Sequence, residues 1–402
     1  MNILFVHETE YINKVIFEFQ IIPEIYASQG HNVYVVDYPM DWKKKNIFDI
    51  GSLKTQCLKN VRKSNKEKGI TLIRPGIFKI PGISRLLAFF SYFFIIGKII
   101  KQYNIERIIL YSVPTNGLQT LFWAKRYKIP VHFRSLDVLH QLVPSKVLSL
   151  PTYLMEKFIY KRVSSITAIT PKLTKYAIHM GGNPQTTSYL PTGSDIDLFS
   201  PQTKDGELVR KFSITKTDQV ILFAGTLYNF SGLDVLIRFL INNPRERKNI
   251  KFIIAGHGEQ SDLLKKMIEE NDLSGIVVLT GFINYSELPK YINLADVCIN
   301  PFATNKITDI IFPSKLYQYM ACEKSVIATR LPGLIDIFPD NGGKNNIYYF
   351  DLNNPEEFFH LLRKVGKNRV KDVNPSLQEI ASVLLKKVEG LDGEGKVTLE
   401  VK

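Results

Sequence analysis

The chain has 402 residues, 45% hydrophobic and 22% charged, with three cysteines and a formal charge of +14. That length leaves room for two or three domains with large cores, and the composition excludes a disordered or fibrous chain. Cys57, Cys298 and Cys322 show neither metal-ligand spacing nor an even-numbered disulfide framework, which fits a reducing cytoplasm.

The chain opens on MNILFVHE, a strand pattern running into polar residues. It is too short and wrongly flanked for a secretory signal. Strand patterns follow at HNVYVVDY, ITLIRP, RIILYS, VHFRS, SITAIT and TTSYLP, with helical patterns over residues 13–29, 83–102 and 117–127. PTGSDIDLFSPQTKDGE, residues 191–207, is rich in turn formers and reads as a linker. Beyond it the plan repeats, with strands at QVILFAGT, KFIIAGHG, IVVLTGF, VCINP, SVIATR and NIYYF. Helical patterns there cover 233–242, 261–271, 286–295, 314–322 and 355–365. The alternation predicts two doubly wound α/β domains, 1–195 and 196–402, facing across a cleft, with the last helix free to pack back on the first domain.

The charge is uneven. Between residues 43 and 101 fourteen Lys and Arg stand against two acids, Asp49 and Glu67, so +12 of the total lies in that stretch. Inside it LLAFFSYFFIIG, residues 86–97, is uncharged, but a membrane-spanning helix needs about 20 apolar residues. The run reads as a helix buried against a sheet, or as part of a surface that docks on anionic lipid; both can hold. Lys43, Lys44, Lys45, Arg62, Lys63 and Arg85 are the candidate docking residues. Nucleic acid explains the charge less well, because no recognised nucleic-acid module accompanies it.

Three strand ends in the second half carry candidate chemistry. Gly225 and Thr226 end one, in FAGTLYNFSGLDVLI, where small residues let a backbone approach a phosphate; a plain turn is the alternative. Gly256 and Gly258 end the next, in IIAGHGEQ. The third leads from VCINPF into FPSKLYQYMACEKSVIA, where Ser314 is placed to cap a helix. Lys315 in its first turn has the wrong sign for the helix but the right sign for a bound anion. Gln318, one turn on, would share its face and offer an amide to sugar hydroxyls. The alternative is an ordinary amphipathic helix with Leu316, Tyr319 and Met320 in the core. No carboxylate or histidine cluster suggests a metal: Asp195 and Asp197 sit in the linker. His7, at the end of the first strand, reads as a structural or acceptor-side histidine.

Taken together, ITAITPKLTKYAIHMGGNPQTTSYLPTGSDIDLFSP, FAGTLYNFSGLDVLIRFL, IIAGHGE, LTGFINYSELPKYINLADVCINPF and PSKLYQYMACEKSVIAT resemble, in order, the motifs of the retaining glycosyltransferases of family 4. The resemblance covers nearly the whole chain and implies the two-domain GT-B architecture. It implies a nucleotide-diphosphate-sugar donor bound by the second domain, with no cofactor and no metal, and an acceptor bound by the first. Gly225 and Thr226 would face the diphosphate, Phe282 and Ile283 the base, Lys315 and Leu316 the phosphates, and Gln318 the ribose, with Gly256 and Ser314 also among the donor-binding residues. Asp137 and His140 would join Lys315 in catalysis, and His7 and Glu8 would meet a glycan or lipid-linked acceptor. Where the family has Arg and Lys in the first loop, this chain has Thr226 and Ser231; where it has two glutamates, Ile310 and Gln318; and Leu136 precedes Asp137 where a histidine is usual. Lys306 and Arg330 are the other cations available near those motifs. The expectation is a hexosyltransferase of cell-surface polysaccharide or glycolipid synthesis, cytoplasmic and peripheral at the inner face of an anionic membrane. A non-catalytic partner subunit and a nucleotide-sugar epimerase are the alternatives.

Overall fold

The computed structural model describes residues 1–38, 51–52, 54–64, 67–78, 84–143, 146–310, 312–365 and 375–390. Lys43, Lys44 and Lys45 lie outside the described residues. The chain divides into two units, Met1–Thr192 with Leu377–Lys402, and Gly193–Ser376. The second unit therefore ends at Ser376 instead of running to the end of the chain.

In the first unit the elements run β1 (Asn2–Val6), α1 (Glu18–Ser28), β2 (Asn32–Val36), β3 (Gly51–Ser52), β4 (Gln56–Val61), β5 (Ile70–Arg74), β6 (Ile77–Phe78), α2 (Ser84–Gln102), β7 (Arg107–Leu110), α3 (Gly117–Tyr127), β8 (Val131–Ser135), α4 (Lys146–Tyr160), β9 (Ser165–Ala168), α5 (Pro171–His179) and β10 (Thr187–Tyr189). Eight of these strands form one sheet in the order β10-β9-β8-β7-β1-β2-β5-β4, parallel except for β4. The parallel strands are short apolar runs buried on both faces, as covered sheets require. β4, QCLKNV, is an exposed edge strand without alternation, so no periodic signal marks it in the sequence. Helix α1 starts at Glu18, not near residue 13, because Glu10 and Asp37 hold the preceding residues in turns through the N–H groups of Asn13 and Tyr11.

Going from β1 to β2 to β5 the chain moves one way across the sheet; from β5 through β7, β8 and β9 to β10 it moves the other way. Right-handed crossovers then put α2, α3, α4 and α5 on one face and α1 on the other. The final helix, α13 below, packs on α1: Tyr26 donates to the Ala381 carbonyl (2.8 Å) and Arg107 Nε to that of Val388 (3.1 Å). At the heart of this unit Arg134 of β8 is wholly buried. It donates to both carboxylate oxygens of Glu18 (2.8 and 2.9 Å) and to the carbonyls of Leu190 (2.6 Å) and Pro191 (2.9 Å).

The second unit runs α6 (Gly206–Lys211), β11 (Gln219–Ala224), α7 (Leu233–Asn242), β12 (Ile250–Ala255), α8 (Ser261–Glu270), β13 (Val277–Gly281), α9 (Leu288–Leu294), β14 (Val297–Asn300), α10 (Lys315–Ala321), β15 (Ser325–Thr329), α11 (Pro332–Ile335), β16 (Ile347–Phe350) and α12 (Pro355–Lys364); α13 (Leu377–Glu389) follows. Its sheet is wholly parallel in the order β13-β12-β11-β14-β15-β16. Two doubly wound α/β units are thus present, as the alternating pattern predicts. Each sheet has one point where the strand order reverses, between β1 and β7 and between β11 and β14. In such sheets ligands bind beyond the carboxyl ends of the strands at that point.

Candidate functional site

At the reversal in the second unit, β11 ends in Gly225 (φ +143°) and β12 in Gly256 (φ +154°). A Cβ on Gly256 would lie 1.9 Å from the Gly225 oxygen, so only glycine lets these two strand ends close together. A Cβ on Gly225 would lie 3.0 Å from the Lys315 Nζ, so that amine sits against the bare backbone of the turn. The Nζ is enclosed, 3.8 Å from the Phe223 ring centroid and 4.4 Å from that of Phe302, and has no hydrogen-bond partner. Burial drives its pKa well below the usual lysine value. Two ring faces supply roughly 2 kcal/mol or more to a desolvated cation, less than the several kcal/mol that desolvation costs. The site is therefore built to take up a proton and an anion together. Tyr319, on the same helix, fixes the end of β11: its hydroxyl accepts from the Ala224 N–H at 2.8 Å.

Other residues proposed from the sequence fall differently. Ser314 has helical φ and ψ and makes no side-chain bond to the helix end, so it is not a cap; α10 has seven residues, too few for a strong terminal dipole. Leu316 is a core side chain, and its N–H bonds to the Pro313 carbonyl (3.0 Å). Gln318 is half-buried, near the Tyr285 hydroxyl and Asp195. Thr226 is exposed, Phe282 is 67% exposed beyond β13, and Ile283 packs on the core. Arg330 pairs with Asp340 and Glu357 (both 3.4 Å), and Lys306 is exposed.

Sequence reading missed three contributors. Phe223 and Phe302 form the box around Lys315 and look like plain strand residues until β11 and β14 are paired. Asn300 ends β14 fully buried, with neither its amide oxygen nor nitrogen bonded. An asparagine followed by Pro301 at the end of an apolar strand was its only signal. Ser231 is likewise buried and unbonded through Oγ, beside Gly232, whose Cβ would strike the Pro301 oxygen at 1.9 Å.

At the reversal in the first unit, His7 follows β1. Its Nδ1 donates to the Thr9 carbonyl (3.0 Å), which leaves Nε2 as a buried acceptor without a partner. Burial lowers its pKa, so the ring is neutral, and Tyr11, Phe19 and Tyr111 surround it. Glu8 accepts from the Thr115 N–H beyond β7, with Arg85 Nη1 at 3.9 Å from its other oxygen; burial raises its pKa. Arg85 thus stands beside the predicted acceptor residue Glu8. Lys63 is half-buried with its ammonium bonded to the Ile12 carbonyl, while Arg62 is exposed.

Beyond β8, on the same strand edge, lie Asp137 and His140. Burial alone raises the Asp137 pKa to about 6. His140 Nδ1 lies 3.0 Å from Glu156 Oε2 and 3.2 Å from the Tyr176 hydroxyl, so the buried carboxylate fixes the proton on Nδ1 and makes Nε2 the basic nitrogen. Because the native state holds the Asp137 proton to higher pH than the unfolded chain, stability falls as pH rises from about 4 through 6. Asp137→Asn is expected to flatten that fall in urea midpoints measured across the range; an unchanged slope would place the carboxyl in water. Among the described residues no group of three His, Cys, Asp or Glu is placed to hold a metal ion. No helix among them is long and apolar enough to cross a membrane.

The sequence profile described as "Glycosyl transferases group 1" matches residues 205–380, which include the Lys315 box. An uncharacterized glycosyltransferase of Methanocaldococcus jannaschii is 25% identical over 213 residues, 53% of this chain and 52% of that protein. An alpha-monoglucosyldiacylglycerol synthase of Streptococcus pneumoniae is 23% identical over 216 residues, 50% of this chain and 48% of that one. The chain thus spans about half the length of these curated relatives. The Anabaena protein HepE, solved in complex with UDP-glucose, superposes with a TM-score of 0.66 at 15% identity, covering 96% of this chain and 95% of that one, a likeness of fold.

Proposed function

We propose that the chain, whose residues 205–380 match the group 1 glycosyl transferases and whose fold is GT-B, moves a hexose with retention from a nucleotide-diphosphate sugar to a lipid-linked or glycan acceptor at a membrane. The observation that carries this reading is the enclosed, unpartnered Lys315 amine against Gly225 at the strand reversal. A leaving diphosphate gathers negative charge as the glycosidic bond breaks. An amine already positioned and desolvated stabilises that charge without reorganisation. Asn300 and Ser231 add unused hydrogen-bonding groups to the same strand edge. Phe282, exposed beyond β13, offers a ring face to a base.

In retaining members of the family the donor phosphate helps deprotonate the acceptor hydroxyl, so no protein nucleophile is required. The first unit then has to position and polarise that hydroxyl. His7 Nε2, Glu8, Asp137 and the basic Nε2 of His140 line the carboxyl edge of its sheet and fit that task. A lipid-linked acceptor is supported by the diacylglycerol-acting relative and by the basic, aromatic character of the first unit. That reading puts the protein on the cytoplasmic face of the membrane as a peripheral enzyme of glycolipid or polysaccharide synthesis. The test is turnover of UDP- and GDP-sugars with and without diacylglycerol or polyprenyl-phosphate acceptors, with product anomers read by NMR. A retained α-anomer made only when acceptor is present is expected; inversion, or sugar epimerised without acceptor, would overturn it.

A further inference from the structure

LLAFFSYFFIIG, for which burial against the sheet and surface docking both stood open, has in α2 an outward stripe of Leu86, Phe90 and Phe94, exposed at 60, 56 and 68%. The next outward residues on that stripe are Lys98 and Lys101. The inward face, with Ala88, Tyr92, Ile96, Ile99 and Ile100, already fills the core. Helix α4 repeats the arrangement: Val147, Leu150, Leu154 and Phe158 are exposed, then Lys161 and Arg162 follow at its end. Between them α3 exposes Phe122 and then Lys125, Arg126 and Lys128. Phe122 joins Phe93 of α2 at 5.1 Å between ring centroids, so the aromatic surface is continuous from α2 to α3.

These three helices lie side by side on one face of the first sheet and run in the same direction, each antiparallel to the strands. Their exposed apolar side chains therefore form one band, which on α4 reaches Phe158, and their basic ends another. The apolar band lies toward the carboxyl edge of the strands, the edge that carries His7, Glu8, Asp137 and His140. Helices α2 and α3 contain no Asp or Glu, and the one acid of α4, Glu156, is buried against His140. This face offers aromatic and aliphatic side chains bordered by one sign of charge. That composition fits a bilayer with anionic headgroups, where apolar side chains enter the acyl boundary and Lys and Arg meet phosphates.

We infer that the outer face of α2, α3 and α4 is a docking surface for anionic lipid bilayer, seated with its apolar band at the acceptor edge. This deepens the proposed membrane acceptor, but its observations are independent of any turnover. The surface includes the LLAFFSYFFIIG run of α2, whereas the Lys63 ammonium is bonded to the Ile12 carbonyl.

The experiment is flotation of the full chain with phosphatidylglycerol vesicles and with phosphatidylcholine vesicles. Wild type is expected to float with the first and not the second, and to be released by high salt. Phe90→Glu with Phe94→Glu, and separately Leu150→Glu with Leu154→Glu, are expected to lower partitioning at least tenfold. Lys98→Glu with Lys101→Glu should lower binding to phosphatidylglycerol only. Circular dichroism and UDP affinity, measured in detergent-free buffer, should stay unchanged in all three. Equal partitioning of wild type and variants would overturn the inference. So would a wild-type dimer that Phe90→Glu with Phe94→Glu dissociates while vesicle binding persists, since the face would then serve a second copy of the chain. Loss of turnover with vesicle binding intact would count against the proposed reaction and leave the docking surface standing.

Discussion

Lys315→Met is expected to lower turnover by about 10²–10³, as removal of one positioned charge-stabilising group does, while raising thermal stability. The two effects run in opposite directions for one reason. The amine is enclosed between Phe223 and Phe302 with no hydrogen-bond partner, and an unsatisfied buried donor costs about 1–3 kcal/mol. Methionine, one atom shorter and uncharged, packs a polarisable thioether against the rings without that cost. The pH sign follows from the lowered pKa: between the native pKa and about 10.4 the unfolded chain binds more protons, so stability rises with pH across that window. The Met variant should lose this dependence in urea midpoints measured from pH 7 to 10. UDP binding to the native protein should take up a proton, read as a binding heat that changes with the buffer's ionisation enthalpy. A variant that is less stable and equally active would show that Nζ reaches solvent and serves no anion.

Arg134→Met is expected to destabilise the first unit by about 3–5 kcal/mol, because it leaves Glu18 buried and uncompensated. The magnitude is large against a total of roughly 5–15 kcal/mol for a domain. Both carboxylate oxygens of Glu18 and the carbonyls of Leu190 and Pro191 lose their donor at once. The double variant Arg134→Met with Glu18→Leu should recover most of the loss, since an apolar pair of similar volume replaces the ions. Both tryptophans, Trp42 and Trp123, fall within residues 1–192, so fluorescence-monitored urea unfolding reports on the first unit. Failure of the double variant to recover would mean that the two carbonyl contacts, not the ion pair, hold the chain where it leaves this unit.

Much of the fold was legible because parallel strands buried on both faces are continuous apolar runs. QVILFA and IKFIIA could be little else, and the helices over 117–127 and 233–242 stand as expected. The polar edge strand β4 and the proline-containing α4 escaped, since an exposed edge needs no pattern and a helix whose outward face is apolar mimics a core segment. The candidate site was half legible. FPSKLYQYMACEKSVIATRLPG shows the lysine that the fold encloses beside Gly225, but a capping role for Ser314 does not survive, as Ser314 is already helical.

Order along the chain by itself determined the two doubly wound sheets, because apolar periodicity is local and each βαβ step permits one hand. It also determined which lysine opens the helix after VCINPF. What only the tertiary structure decided was the environment of that lysine. Phe223, Gly225, Phe302 and Lys315 come together because β14 returns to pair with β11, a contact between residues far apart in sequence. The same holds for the outer face of α2, α3 and α4. Whether Phe90, Phe94, Leu150 and Leu154 meet core or solvent depends on which face of each helix the sheet occupies. No stretch of sequence carries that information alone, since burial is a property of neighbours that the pairing of distant strands supplies.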